Sequence, residues 1–241
     1  MTISACLIAS CDNAPYLADA IASVRAQTRP FDLIIVADDA STDGSRDLLR
    51  ALAAEEPRLR PILRERRLGP AGNRDLAIRE TSLDWLTTLD GDDLMAPDKH
   101  EAEWRAIAPF LGRVEPVAFS DVRLVDAWGG LLEDWNLSRY ALMDRAERLA
   151  WMARRTAPLP RDMLLSKRLY LEAGGYAHDL PLYEDWDFKL RLAARRAVWR
   201  HAGGLGTAYR RHGDGLSAAS PAAHRRWQAE VLRRNAGLLA A

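Results

Sequence analysis

The order of apolar and helical segments in the first 90 residues restricts the fold more than any other feature. Continuous apolar runs, typical of buried strands, occupy Ile3–Ser10, Phe31–Ala37, Leu59–Leu63 and Trp85–Leu89. The segments between them have the apolar spacing or the start signals of helices. Repeated βαβ units predict an α/β fold with a mostly parallel, Rossmann-like sheet and helices on both faces.

The pattern changes after Pro97. Helical spacing continues and one further strand is indicated, but strands no longer alternate with helices. We predict a strand at Val117–Asp126 and helices at Asp98–Phe110, Asp144–Arg155, Lys167–Ala173, Glu184–Arg196 and Ala222–Ala240. The 241 residues suit one compact domain of two fused halves, 1–96 and 97–215, followed by a basic C-terminal helix in 216–241.

Charge and composition narrow the partners and the location. Lys plus Arg equals Asp plus Glu, at 34 each, so nothing indicates a nucleic-acid partner and none is predicted. The segment from Lys189 onward holds eleven Lys/Arg and two acids, which suits an anionic lipid surface or an ordinary solvated helix face. No apolar run is long enough for a membrane span or has a basic leader. We therefore expect a cytoplasmic protein, with a peripheral contact at the inner face of the membrane as an option.

Three aspartates follow the fourth predicted strand in the segment "LDGDD": Asp90, Asp92 and Asp93. Adjacent carboxylates are oxygen ligands for Mg²⁺ or Mn²⁺, and such a metal usually shares its coordination shell with substrate phosphates. Ligands of parallel sheets bind at the carboxyl ends of strands, where this segment lies. The alternative is a solvated, capped turn.

Four further positions have side chains suited to a nucleotide or to catalysis. Asp39 follows the second strand and could accept from a base or a ribose hydroxyl; the alternative is a helix cap. Arg74 could donate to base carbonyls or phosphate, or lie on the surface. Asp185, in "EDWD", stands at a helix start, where acids are favoured in any case. His212 could face a diphosphate or a metal, or simply end a basic strand.

In this order the segments resemble family-2 glycosyltransferases of the GT-A fold. The resemblance extends from the first strand to "YRRHGDGLS" and rests on four motifs. They are "DDASTDGS" for the family's "DDGSTDGS", "GPAGNRDLAI" for "GPSAARNxGL", "LDGDD" for "LDxDD", and "GGYAHDLPLYEDWDFKLRLA" for "GGxxxxL…EDxDLxLRL". The resemblance implies that residues 1–96 bind the nucleotide-sugar and that residues 97–215 bind the acceptor and carry out catalysis.

The resemblance also implies roles for single positions in nucleotide binding. Ser10 and Asp39 would contact the nucleobase, with Asp39 accepting from the uracil N3–H, and Arg74 would help to hold the uracil. Asp90 and Asp92 match the pair that binds ribose, diphosphate and metal. The family's Pro-Thr after the first strand is replaced here by Ala9–Ser10, close to the expected base pocket.

The remaining roles concern metal and catalysis. Asp92 and Asp93 are both possible direct ligands of Mn²⁺ or Mg²⁺, and the resemblance does not rank them. His212 would add a metal or diphosphate contact, and Asp185 matches the proposed catalytic base. The implied enzyme is inverting and transfers a sugar from a nucleotide-diphospho-sugar, with UDP expected, to a hydroxyl of a saccharide or glycolipid in polysaccharide or glycolipid synthesis. Oligomerisation is left open.

Two other functions are compatible with the residues. The chain could be a nucleotide-sugar-binding module without catalysis. It could also be a phosphatase of the haloacid-dehalogenase type, with Asp90 as nucleophile, because an aspartate motif follows an apolar strand. That motif ends the first strand of its own fold, whereas three βα units precede Asp90 here.

Overall fold

The computed structural model describes residues 3–154, 158–213, 215 and 218–240, and every structural statement concerns these residues. They form one nine-stranded sheet with helices on both faces. The strands are β1 Ser4–Ser10, β2 Leu33–Asp38, β3 Leu59–Leu63, β4 Trp85–Asp90, β5 Leu94–Met95, β6 Glu115–Val125, β7 Leu131–Trp135, β8 Leu164–Ser166 and β9 Ala197–Arg210. The helices are α1 Ala14–Arg25, α2 Ser45–Glu55, α3 Gly69–Glu80, α4 Lys99–Ile107, α5 Arg145–Met152, α6 Lys167–Glu172, α7 Glu184–Ala193, α8 Pro221–Arg234 and α9 Ala236–Leu239.

The sheet has the strand order β3-β2-β1-β4-β8-β6-β9-β5, with β7 beside β6. Strands β1 to β4 are parallel, as the alternation of strands and helices predicted. The other half is mixed, because β8 runs antiparallel to both β4 and β6, and β7 returns from β6 as a hairpin. The α/β prediction is confirmed, and the parallel direction holds for the N-terminal half of the sheet.

Alternate residues of β1 serve two separate apolar layers. Ile8 packs with Leu17 and Ile21 of α1 on one face of the sheet. Leu7 belongs to the larger layer on the other face, which also contains side chains of α3, α6 and α7. Successive side chains of a strand point to opposite faces, so a strand covered by helices on both sides is apolar throughout, as this one is.

Helix and strand ends differ from the predictions in a few places. The predicted helix Ala222–Ala240 breaks at Asn235, whose side-chain amide donates to Asp187 Oδ1 at 2.8 Å. Arg155, the predicted end of the fifth helix, lies outside the described residues, and α5 is described as far as Met152. Strands β5, β7, β8 and β9 were not predicted.

The apolar side of the basic helix α8 faces the protein. Val231 is fully buried, and Trp227 and Leu232 pack against the larger apolar layer. Arg233 and Arg234 both donate to Glu230, which neutralises part of the basic face. Among the described residues, none of the helices combines the length and apolarity needed to cross a bilayer. A peripheral membrane contact stays a prediction, and this helix presents no free apolar face for it.

A buried ionic network connects α4 to the segment before β8. Lys99, which is 2% exposed, donates to Glu103 Oε2 at 2.7 Å and to the backbone oxygen of Asp162 at 2.5 Å. The Asp162 carboxylate accepts from Thr207 of β9 at 2.9 Å, and Ser120 of β6 donates to Glu103. The network therefore fixes the position of Asp162. The side chain of the preceding residue, Arg161, contacts the carboxylates of Asp90 and Asp93.

Candidate active site

Three neighbouring parallel strands end at the same edge of the sheet. In the strand register Ser10 lies opposite Asp38 of β2, and Ala9 lies opposite Asp90 of β4. The turn after β4 passes close to β1, since a Cβ on Gly91 would lie 3.1 Å from the Ala9 carbonyl oxygen. The absence of a side chain at position 91 therefore lets the three aspartates stand directly at the strand ends.

The aspartates of this turn form an acidic triplet, Asp90, Asp92 and Asp93. One carboxylate oxygen from each lies within 4.8 Å of the others. His212 contacts Asp92 Oδ2 through Nε2 at 2.9 Å, and the Arg210 backbone N–H donates to Asp93 Oδ1 at 2.8 Å. The structure thus brings together all four residues that the sequence placed around a metal.

Two arginines supply positive charge to this triplet. Arg161 donates from one terminal nitrogen to Asp90 Oδ2 at 2.9 Å and to Asp93 Oδ2 at 3.1 Å. Arg74 bonds to Asp90 and, from its other terminal nitrogen, to Glu184 Oε1 at 2.6 Å. Burial raises the pKa of Asp90, but the charges of Arg74 and Arg161 outweigh burial and lower it.

The other two acids of the triplet are less well compensated. Burial raises the pKa of Asp93 well above its usual range, although Arg161 opposes the rise. The pKa of Asp92 is raised by burial and by the charge of Asp90. His212 Nδ1 is buried and has no hydrogen-bond partner among the described residues. A group of hard oxygen ligands whose negative charge is poorly compensated fits a divalent cation.

The second acidic motif begins helix α7. Asp185 Oδ2 accepts from Lys189 Nζ at 2.5 Å, one helical turn later. Burial raises the pKa of Asp185, but Lys189 outweighs it, so the net shift is downward and the carboxylate is ionised at neutral pH. Burial raises the pKa of the adjacent Glu184 to about 7, against the opposing charge of Arg74. Asp187 is turned away from the site and pairs with Arg191 at 2.7 Å.

A cavity of about 640 Å³ opens between the two acidic motifs. Its lining includes Asp90 at the end of β4, Arg74 of α3 and Arg161 before β8, together with Asp185 and Lys189 of α7. The remaining wall includes seven aromatic residues, among them Trp135, Tyr183 and Tyr209. The cavity can therefore hold a molecule with polar and ring surfaces next to an ionised carboxylate that is able to accept a proton.

Ser10 and Asp39 lie side by side but do not line this cavity. The Asp39 N–H donates to the Ser10 carbonyl at 2.8 Å, and the Ser10 hydroxyl is buried with no partner in the described part of the chain. The Asp39 carboxylate accepts from the N–H groups of Leu68 and Gly69 at 2.7 and 2.9 Å. Asp39 therefore does cap a helix, as the alternative interpretation held, but the capped helix is α3 and not α2. The Arg74 guanidinium bonds to Asp90 and Glu184 and not to this pair.

Sequence inspection missed two cations of the site. Lys189 could have been found, because it stands four residues after Asp185, the spacing at which helical side chains meet. Arg161 has no such signal. It lies in an irregular segment, and its partners are about 70 residues earlier in the chain.

Comparison with known protein families supports the motif assignment. Residues 6–108 match the family model described as Glycosyl transferase family 2. A putative teichuronic acid biosynthesis glycosyltransferase, TuaG of Bacillus subtilis, is 33% identical over 88 residues, which are 36% of this chain and 35% of TuaG. The succinoglycan biosynthesis protein ExoU of Rhizobium meliloti is 28% identical over 234 residues, 89% of this chain and 64% of ExoU. The resemblance to family-2 glycosyltransferases is thereby confirmed. The chain spans about a third of the length of TuaG and about two thirds of the length of ExoU.

Solved structures show the same fold. The chain resembles S. aureus TarS 1-349 in complex with UDP-GlcNAc, with a TM-score of 0.71 and 15% identity, over 97% of this chain and 72% of that one. A complex of TarS 1-349 with UDP gives a TM-score of 0.68 and 13% identity over the same shares. The GT-A type of α/β fold is thereby confirmed.

Proposed function

We propose that this chain is an inverting, metal-dependent glycosyltransferase that moves a sugar from a UDP-sugar to a hydroxyl of a saccharide or glycolipid acceptor. One observation carries the proposal. Arg74 connects Asp90, in the triplet that suits a metal and a diphosphate, to Glu184, the neighbour of the ionised Asp185. Asp90 of the triplet and a suitable base, Asp185, therefore line the same cavity. The relatives in polysaccharide synthesis support this class of product.

The proposed reaction is a direct displacement. The acceptor hydroxyl attacks the anomeric carbon from the face opposite the leaving diphosphate, so the new bond has inverted configuration. Asp185 takes the hydroxyl proton, and the nearby ammonium of Lys189 keeps this carboxylate in its ionised form. Trp135, Tyr183 and Tyr209 offer flat surfaces for sugar rings in the same cavity.

The residues that would hold the metal are Asp92, Asp93 and His212, beside Asp90. Of the two aspartates, Asp92 is the better ligand, because both oxygens of Asp93 already accept from Arg161 and Arg210. A bound Mn²⁺ or Mg²⁺ offsets the negative charge that develops on the leaving diphosphate. The chain contributes hard oxygen ligands and, through Arg74, an ion pair from Asp90 to Glu184, the residue beside the base.

The test of the proposal is a donor screen. UDP release is measured for a panel of nucleotide-sugars with Mn²⁺ or Mg²⁺, with and without saccharide and glycolipid acceptors. We expect acceptor-dependent UDP release from at least one UDP-sugar and a product of inverted configuration. UDP binding without transfer to any acceptor would contradict the proposal and favour a binding module. Release of phosphate from phosphomonoesters would favour a phosphatase.

Replacing Asp92 by alanine should uncouple UDP binding from metal. In the wild type we expect UDP to bind more tightly with Mn²⁺ than with EDTA, because cation and diphosphate share one coordination shell. The substitution should remove most of this difference in calorimetric titrations. Asp47→Ala, at an exposed carboxylate of α2, is the matched control and should preserve it. Equal UDP affinity with and without metal in the wild type would refute metal-linked binding.

Replacing Asp39 by alanine should weaken UDP binding by about 1–3 kcal/mol, the scale of a lost charge-assisted hydrogen bond. The affinity for pyrophosphate should change little, because the Asp39 carboxylate bonds to the N–H groups of Leu68 and Gly69 and not to the arginines of the triplet. Both ligands are compared by calorimetry. Since Asp39 also caps α3, the thermal unfolding of the variant is measured in parallel. Equal losses for UDP and pyrophosphate would point to a disturbed helix start instead of base recognition.

A further inference from the structure

Arg161 occupies the side of the acidic triplet that a metal would need. Its terminal nitrogen bridges Asp90 and Asp93 at 2.9 and 3.1 Å. The Arg161 side chain is 17% exposed, and its guanidinium carbon stacks 3.9 Å from the centre of the Tyr209 ring. Its Nε is buried and has no hydrogen-bond partner among the described residues. The guanidinium is thus held by the two carboxylates and the ring, while one of its own donors is left unused.

The backbone next to Arg161 is anchored independently of this contact. Asp162 adopts a left-handed conformation, with φ 49°, and its carbonyl accepts from Lys99. Its carboxylate accepts from Thr207. None of these bonds involves the Arg161 side chain. The guanidinium can therefore leave the triplet by rotation of its side chain, without displacement of the chain at residue 162.

We propose that Arg161 is an internal placeholder for the metal. It neutralises Asp90 and Asp93 while the site is free of nucleotide, and it must give up these carboxylates before they can serve a divalent cation. The inference rests on the proposed metal-dependent function. The physical reason is competition: the guanidinium and a divalent cation would share the same carboxylate oxygens, and at this separation their two positive charges repel.

The placeholder makes metal binding and nucleotide binding depend on each other. Without nucleotide, a divalent cation must displace the Arg161 guanidinium, and no diphosphate is present to pair with the guanidinium after it has moved. With a nucleoside diphosphate present, the released guanidinium has an anionic partner at the wall of the same cavity. Arg161 therefore disfavours occupation of the triplet by metal alone and favours joint occupation by metal and diphosphate.

The experiment is a Mn²⁺ titration at pH 8 in the absence of nucleotide, followed by the electron paramagnetic resonance signal of free Mn²⁺. We expect Arg161→Gln to bind Mn²⁺ about 5- to 150-fold more tightly than the wild type, the usual range for coupled sites. Arg154→Gln is the matched control. It removes an arginine from the same cavity wall that forms no ion pair with the described residues, and it should change Mn²⁺ affinity less than about twofold.

Two further measurements keep the outcomes distinct. Arg161→Lys retains the charge but replaces the planar fork by a single ammonium, so its Mn²⁺ affinity should lie between those of the wild type and the glutamine variant. UDP should tighten Mn²⁺ binding more in the wild type than in Arg161→Gln. A folded Arg161→Gln that binds Mn²⁺ no more tightly than the wild type overturns the proposal. If no variant binds Mn²⁺ even with UDP, the placeholder and the metal dependence both fail, whereas UDP release in EDTA then shows whether transfer itself survives.

Discussion

Asp185→Asn is expected to lower sugar transfer at least about 100-fold, the smaller end of the loss caused by removing a general base. The substitution retains the size of the side chain and its bond from the Trp186 N–H, but it removes the ionised oxygen that faces Lys189. UDP affinity in the presence of Mn²⁺ should be nearly unchanged, because the Asp185 side chain bonds to the Trp186 N–H and to Lys189 and not to the aspartates of the triplet. Turnover and calorimetric affinity are measured on the same preparation.

Asp187, two residues after Asp185 on the same helix, is the control position for this substitution. Asp187 is 3% exposed and is held by Arg191 and Asn235, outside the cavity. We expect Asp187→Asn to reduce stability with a much milder effect on the rate per folded molecule. Near-normal turnover of Asp185→Asn with an authentic donor and acceptor would show that Asp185 only stabilises the start of α7 and that the base lies elsewhere.

Lys99→Met is expected to destabilise the fold by about 3–5 kcal/mol, the cost of leaving one charge of a buried pair without its partner. Glu103, 1% exposed, would lose the one cation that pairs with it in the described part of the chain, and the Asp162 carbonyl would lose a donor. Urea unfolding measures the change. Arg50→Met, which breaks an exposed ion pair with Asp47, is the control and should cost less than about 1 kcal/mol. A loss below about 1 kcal/mol for Lys99→Met would contradict the assigned role of the network.

The same variant should show a stronger pH dependence. Burial raises the pKa of Glu103 to about 7 even with Lys99 beside it. An acid whose pKa is higher in the folded state keeps its proton there while the unfolded chain releases it, so stability falls as pH rises from its unfolded pKa to its folded pKa. Without Lys99 the folded pKa rises further, and the stability lost between pH 5 and pH 8 should exceed that of the wild type. Glu103→Gln in the same background should remove the extra slope.

The sequence allowed prediction of those parts of the fold that depend on local pattern. β1 and β2 are apolar throughout because helices cover both of their faces, and such runs can be recognised without knowledge of any partner. The start of α7 at Glu184 was predicted correctly, although the helix ends at Ala193 and not at Arg196, and the inward direction of Trp186 and Leu190 follows from helical spacing. The acidic triplet was found because a strand signal immediately precedes it.

The parts that were missed depend on distant partners. β9 contains Gly203, Gly204 and Gly206 and has no alternating pattern, and it is a strand because β6 pairs along most of its length. β7 is exposed along most of its length, so no apolar alternation marks it. The helix that carries Arg74 could be predicted from local pattern. Its partner Glu184 could not, because Glu184 lies 110 residues later in the chain.

The short strand β8 limits where this chain can be cut without exposing an unpaired strand edge. β8 fills the place between β4 and β6, so the last N-terminal strand pairs with residues that follow it by some 80 positions. The family pattern ends at residue 108, before this strand. A gene fragment that encodes only the matched stretch would leave the edge of β4 open and Leu86 uncovered, both of which favour aggregation. We therefore expect residues 6–108, the stretch that matches the family model, not to fold by itself when it is separated from β8.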